Sequence, residues 1–305
     1  MEFNILFDCA FSEINLDKTL APIDKKFSVS YLNDFEDGQW RYSKFQSFIW
    51  DNIAETSLSH KERESLVNHS LLVAAAKNLR LTDSDKEDIG RGSELAEIVL
   101  YGLMKHHYQA LPVVPKIFYK QNSQDNAKGA DSVHIVLEPN DSYSIWFGEA
   151  KFYNSIEDAR LSSIVKSVEN SLKTDKLKKE NSIITNVQDL DDLVLDESLK
   201  EKIKQTLSNK TSIDELKPRL HIPILILHEC EITKKATKLD DNYLEEVRLF
   251  YRDRATSYFK KQIIQLKTSV HLYSDITFHI ILFPVPSKEN IVDKFVVNVQ
   301  HYKDQ

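Results

Sequence analysis

Asp131, Glu149 and Lys151, with Glu94 well upstream, are the side chains whose types and spacing could do chemistry. Glu149 and Lys151 fall in YSIWFGEAKFY at 143–153, among aromatic residues, and Asp131 opens ADSVHIVLE at 130–138. Both runs have the β-branched and aromatic make-up of strands. Burying a carboxylate and an ammonium in such a strand is costly unless they are paired or bound to something. A period of two puts Ile145, Phe147, Glu149 and Lys151 on one face, and Trp146, Gly148, Ala150 and Phe152 on the other. The first face is apolar until its end and then becomes charged, as where a sheet edge opens into a site. On the other face Gly148 and Ala150 keep the strand slim for an approaching element.

Pro139-Asn140-Asp141-Ser142 between the two runs is a turn composition. A hairpin centred near 140–141 brings residue 131 close to residue 150, within one or two positions, and so sets Asp131 beside Glu149 and Lys151. Two ionised carboxylates at that separation repel each other. A divalent cation removes the penalty, and oxygen ligands with room for water suit Mg2+ or Mn2+. Such a cation acidifies its bound water and polarises a phosphate. An ammonium at Lys151 can orient or help deprotonate the attacking water and offset charge on a pentacovalent phosphate. No GxxxxGK[ST] nucleotide cradle occurs, so direct attack of water on a phosphodiester is the simplest chemistry. Glu94 shares a helical stripe with Glu97, Ile98 and Tyr101, and there it is a candidate metal ligand or water-orienting group. The competing reading for Glu94 is the preference of acids for helix N-termini. For Glu149 and Lys151 it is a cross-strand ion pair at a wet sheet edge.

The elements that must position these residues can be read along the chain. Helical patterns cover 44–57, 60–78 (with Ser59 and Glu62 spaced as a capping box), 93–109, 155–173, 189–207 and 240–267, with Ser93 able to cap the third. Strands are expected in FNILFDCAF, near 114–120, at 130–138, at 143–153, at SIITN (182–186), in HIPILILHECE and in DITFHIILFPVP. A last helix is expected near 287–295, then a strand in KFVVNVQHY. The order implies an α/β fold with a mixed central sheet flanked by helices.

The 305 residues are 41% hydrophobic and 29% charged, and the formal net charge is -7. An acidic balance argues against nucleic acid as the sole partner unless lysines gather on one face or a partner supplies affinity. Basic clusters lie at 173–179 and at Arg248, Arg252, Arg254, Lys260, Lys261 and Lys267; solvated surface is the plain reading of each. Arg160 and Lys166 follow the charged strand and could reach a phosphate. No stretch is apolar enough for a membrane span, and the acidic N-terminus does not read as a signal peptide, so a cytoplasmic protein without a membrane partner is expected. Cys9 and Cys230 fit no metal or redox spacing. His228 and Cys230 share a strand face, but no further ligands complete a zinc site.

The arrangement resembles the PD-(D/E)xK nuclease superfamily, whose core runs helix, three strands, helix, strand. That resemblance matches Asp131, Glu149 and Lys151 to the catalytic set and Glu94 to the acid of the first core helix. Gly129-Ala130, rather than a proline, precedes Asp131. GADSVHIVLE, IWFGEAKFYNSIEDA, HIPILILHE and TFHIILFPVPSKE together resemble the HamA family, nuclease subunits of the Hachiman antiphage defence system. The resemblance spans roughly 90–300. It implies a Mg2+-dependent deoxyribonuclease held and released by a superfamily 2 helicase, HamB, with DNA as substrate. The polar tract LRLTDSDKEDIGRG at 79–92 marks a boundary, and a division is expected into an accessory, partner-binding region at 1–85 and a nuclease domain with a C-terminal α/β extension at 86–305. A site-specific restriction-type endonuclease and an inactivated nuclease fold serving as a binding subunit stay open as alternatives.

Overall fold

Pairing begins at the expected hairpin. The computed structural model describes residues 3–81, 92–120, 130–140, 142–186, 189–194, 196–208 and 210–305. The 79–92 boundary tract, Gly129 and Asp141 fall wholly or partly outside them. Strands are β1 (Asn4–Ala10), β2 (Lys26–Leu32), β3 (Phe35–Glu36), β4 (Gln39–Trp40), β5 (Leu111–Val114), β6 (Ser132–Glu138), β7 (Ser142–Tyr153), β8 (Leu220–Glu229) and β9 (Thr277–Val285). Seven form one sheet in the order β1-β2-β9-β8-β7-β6-β5, and β3 and β4 make a small hairpin around Asp37-Gly38. β2, β9, β8 and β7 run parallel, while β1, β6 and β5 pair antiparallel with their neighbours. The protein is therefore α/β with a mixed sheet.

Alternation along the strands builds two apolar layers. Ile145 and Phe147 of β7, Ile224 and Ile226 of β8 and Ile280 of β9 enter one layer. It is covered by Leu161, Ile164 and Val168 of the Asp158–Ser171 helix and by Val247, Tyr251 and Tyr258 of the Asp241–Ser269 helix. Trp146, Ala150, Phe152, Leu225 and Phe283 enter the other, beneath the Tyr42–Ser57, Ser93–Tyr108 and Lys288–Lys303 helices. The Asp158–Ser171 and Asp241–Ser269 helices bury stripes at three- and four-residue spacing, whereas the Ser93–Tyr108 helix is buried all round from Leu95 to Met104. A β-carbon at Gly102 would lie 2.5 Å from Phe48 Cζ, so that glycine lets two of these helices touch. Residues 1–85, set apart on sequence grounds, give β1 and β2 to the same sheet and Phe45, Phe48 and Ile49 to the same layer as Phe283.

Several elements differ from expectation: the helix expected over 189–207 is two, Asp189–Leu193 and Glu197–Leu207, and β2, β3 and β4 answer to no expected strand. SIITN belongs to a helix, Thr174–Asn186, whose Leu177 and Ile184 are buried seven residues apart, two helical turns. KFVVNVQHY lies in the Lys288–Lys303 helix, which buries Ile291, Val292, Phe295 and Val299 and leaves Val297 exposed; Ser287 caps it by accepting the Asn290 N–H. The 114–120 tract makes only the end of β5 before Pro115, then the short Lys116–Lys120 helix. The helix expected over 60–78 keeps its Ser59–Glu62 capping box but splits at Leu66 and Val67, whose extended backbone ends one helix before the next begins at Asn68. The Ser93–Tyr108 helix is capped by Gly92, at φ 90°, rather than by Ser93. Among the described residues no helix is long and apolar enough to cross a membrane.

Candidate active site

The β6–β7 ladder pairs Ser132 with Gly148, Val133 with Phe147 and onward to Glu138 with Ser142. The Asp131 N–H donates to Gly148 O at 2.8 Å, one residue beyond that ladder. Extending the register sets Asp131 opposite Glu149, one position from the sequence expectation. Close approach requires a glycine at 148. A β-carbon there would meet Ser132 Oγ at 2.1 Å and Leu100 Cδ2, from the helix beneath, at 2.7 Å.

Three of the four candidate side chains meet. Asp131 Oδ2 accepts the Ala150 N–H at 3.0 Å and lies 3.4 Å from Lys151 Nζ. Lys151 Nζ in turn lies 2.5 Å from Glu149 Oε1. Side-chain exposure rises from 7% for Glu149 through 17% for Asp131 to 27% for Lys151, so the group opens from the core toward solvent at its lysine. Ser167, from the helix above, donates to Glu149 Oε1 at 2.5 Å. Among the described residues, every hydrogen bond and ion pair of Glu149 falls on Oε1, leaving Oε2 uncommitted.

Electrostatics follow from this packing. Burial raises the Glu149 pKa, and the Asp131 charge raises it further, against the pull of Lys151 and Ser167. Burial works against the Lys151 ammonium, but Asp131 and Glu149 outweigh it and hold its pKa well above the usual lysine range. Lys151 is thus a fixed cation between two acids.

A second layer fixes Asp131 from behind. Glu180, on the Thr174–Asn186 helix, accepts the Ala130 N–H on Oε1 at 3.1 Å and holds Lys116 Nζ on Oε2 at 2.5 Å. Both side chains are buried. Lys116 N donates to Tyr101 OH at 3.3 Å, and that hydroxyl donates to Val114 O. The Ser93–Tyr108 helix, β5 and the chain entering β6 are tied together in this way.

Among the described residues Glu94 makes no hydrogen bond or ion pair with that group. Its two carboxylate oxygens accept the backbone N–H groups of Arg80 and Leu81 at 3.0 and 2.9 Å, so it braces the preceding chain. Among the described residues no cluster of three or more His, Cys, Asp or Glu could hold a metal ion. What the described site offers is a pair of carboxylates, a lysine and a serine. Ser167 escaped the sequence reading because a serine in SSIVKSVENS carries no local signal; only the placement of that helix over β7 reveals it. His228 is a core residue, its Nε2 2.9 Å from Tyr251 OH and its Nδ1 3.0 Å from Glu229 O. Cys9 and Cys230 are free thiols.

An α/β sheet flanked by helices, with two acids and a lysine gathered across adjacent antiparallel strands, defines the class of protein. The chain belongs to the HamA family, whose family model matches residues 7–299 and so takes in β2 and most of β1. No curated protein matches it. Membership carries a nuclease role in antiphage defence, and association with DNA and a HamB-like helicase in the Hachiman system.

Proposed function

We propose that the chain is a metal-dependent deoxyribonuclease with a PD-(D/E)xK core, the effector of an antiphage complex that a helicase partner restrains and activates. Asp131 and Glu149 would hold Mg2+ or Mn2+, and Lys151 would face the scissile phosphate. The observation that carries this reading is the approach of Lys151 Nζ to carboxylates on two strands, 2.5 Å from Glu149 and 3.4 Å from Asp131. The second acid also makes the buried Glu149 harder to ionise, a penalty that a bound cation would remove. Two hard oxygen donors, one with an uncommitted Oε2, fit a cation that keeps several waters of its own. A cation held there would supply Lewis acidity toward the phosphate and a more acidic water.

The chain's own residues do the remainder. Lys151, reaching across to both carboxylates, stands where it can offset negative charge as it develops on the phosphate or orient the attacking water. Ser167 fixes the Glu149 carboxylate through Oε1. Glu180 and the Gly148 carbonyl fix the backbone leading into Asp131, by accepting the N–H groups of Ala130 and Asp131.

The test is Mg2+-dependent cleavage of linear and circular DNA by the chain co-purified with its helicase. Asp131→Ala, Glu149→Ala and Lys151→Ala should each abolish cleavage while the partner still co-purifies. A Lys151→Ala protein that cuts at the wild-type rate overturns the mechanism. Cuts at one shared sequence in unrelated plasmids would point to a restriction-type enzyme instead.

A further inference from the structure

We propose that Arg160 is a substrate-binding residue whose guanidinium, laid on the Tyr153 ring, takes a nucleic-acid phosphate flanking the scissile one. The identity of the ligand rests on the nuclease reading above; the placement of the guanidinium does not.

Tyr153 follows Lys151 by two residues on β7 and shares its face. It stands roughly 6.8 Å further along the strand, a step comparable with that between neighbouring phosphates of one nucleic-acid strand. Arg160 comes from the first turn of the Asp158–Ser171 helix, the same helix that sends Ser167 to Glu149. Residues 160 and 167 are two turns apart on one stripe. A single helix therefore spans the face from the buried carboxylate to the strand's end.

The Arg160 guanidinium carbon lies 5.3 Å from the Tyr153 ring centroid. A guanidinium held over a ring by its charge keeps its N–H donors available to a further partner. Those donors match the geometry of phosphate oxygens. Other arginines are taken: Arg41 by Asp34, Arg248 by Glu245, and Arg254 by Asp158 and Asp253. Asp158, the acid closest to Arg160 in sequence, is also engaged by Lys261 and Ser257. Among the described residues Arg160 has no carboxylate and no hydrogen-bond acceptor. It is a guanidinium oriented by a ring, uncompensated, at the end of the face that carries the two acids and Lys151.

The experiment is fluorescence anisotropy of a labelled random-sequence duplex with the full chain in EDTA, between 50 and 200 mM salt. EDTA prevents cleavage, so binding is read alone. One phosphate contact fewer should lower the slope of log K against log salt by about 0.9 for duplex DNA. Arg160→Ala and Arg160→Met should both show that drop with any sequence, the methionine because it keeps packing on Tyr153 but not charge. Arg160→Lys should keep most of the slope. In cleavage, Arg160→Met should raise KM with kcat nearly unchanged. An unchanged slope for Arg160→Met, or no measurable binding by the wild-type chain, overturns the proposal. If the chain binds with the expected slopes but never cleaves, the nuclease reading fails while the phosphate contact stands.

Discussion

Replacing Glu180 by glutamine removes one charge from the buried pair behind Asp131 and little else. Gln keeps the shape of Glu180 and retains an oxygen for the Ala130 N–H, which Glu180 accepts at 3.1 Å. Lys116 Nζ, 2.5 Å from the lost charge, stays on a side chain that is 0% exposed, against 4% for Glu180. A pair at the surface would be worth about 0–1 kcal/mol. Breaking a buried pair by removing one partner costs up to about 3–5 kcal/mol, and less where the remaining charge keeps another partner, as Lys116 does. With a urea dependence of about 3 kcal/mol/M, the midpoint of unfolding should fall by at most roughly 1–1.7 M. Tryptophan fluorescence reads the transition, since Trp146 lies on β7, close to the Ala130–Asp131 corner. Replacing Lys116 by methionine in the Glu180→Gln background, which keeps an acceptor for the Ala130 N–H, should recover part of the loss, because the lysine charge is then no longer buried. A loss below about 1 kcal/mol for Glu180→Gln, or a double variant as unstable as the two single losses added together, would refute the reasoning.

Two further outcomes follow from the same geometry. Ser167→Ala removes a donor from a buried carboxylate, a bond of a kind worth about 1.5–3 kcal/mol; it should weaken divalent-cation affinity in calorimetry, with Ser167→Thr restoring it, and equal affinities for all three proteins would count against the positioning of Glu149. Burial lowers the pKa of His134 to about 3 and those of His221 and His228 to about 4. A folded-state value below the unfolded one means stability is full above the unfolded pKa of about 6.5 and is lost as pH falls toward the folded values, by up to about 1.4 kcal/mol per pH unit for each histidine. Urea unfolding at pH 7.5 and pH 5 should show the drop, and a flat profile would contradict it.

The hairpin was legible because three independent signals agree: a turn composition at 139–142, alternation on both sides of it, and a charged end to one face. That agreement placed Asp131 within one residue of its position opposite Glu149. The slimness of β7 at Gly148 was legible too, and Leu100 and Ser132 are what press against it. SIITN and KFVVNVQHY misled because β-branched residues in a short window look like a strand. Their burial follows helical spacing only over a longer stretch, in which Leu177 and Ile184, or Ile291, Phe295 and Val299, line up. Glu94 was ambiguous for a different reason. An acid in the first turn of an apolar helix has the same sequence signature whether it faces a metal or braces a loop, and here it holds the N–H groups of Arg80 and Leu81. Ser167 and Glu180 were invisible because their roles depend on how two crossover helices land on the sheet, and no local pattern encodes that.

Titrating Mn2+ into the full chain, and into its Asp131→Ala and Glu149→Gln variants, asks most directly whether the two carboxylates hold one cation between them. Saturable binding by the wild-type chain that is lost in both variants is the expected result. Binding of unchanged affinity in either variant would contradict it.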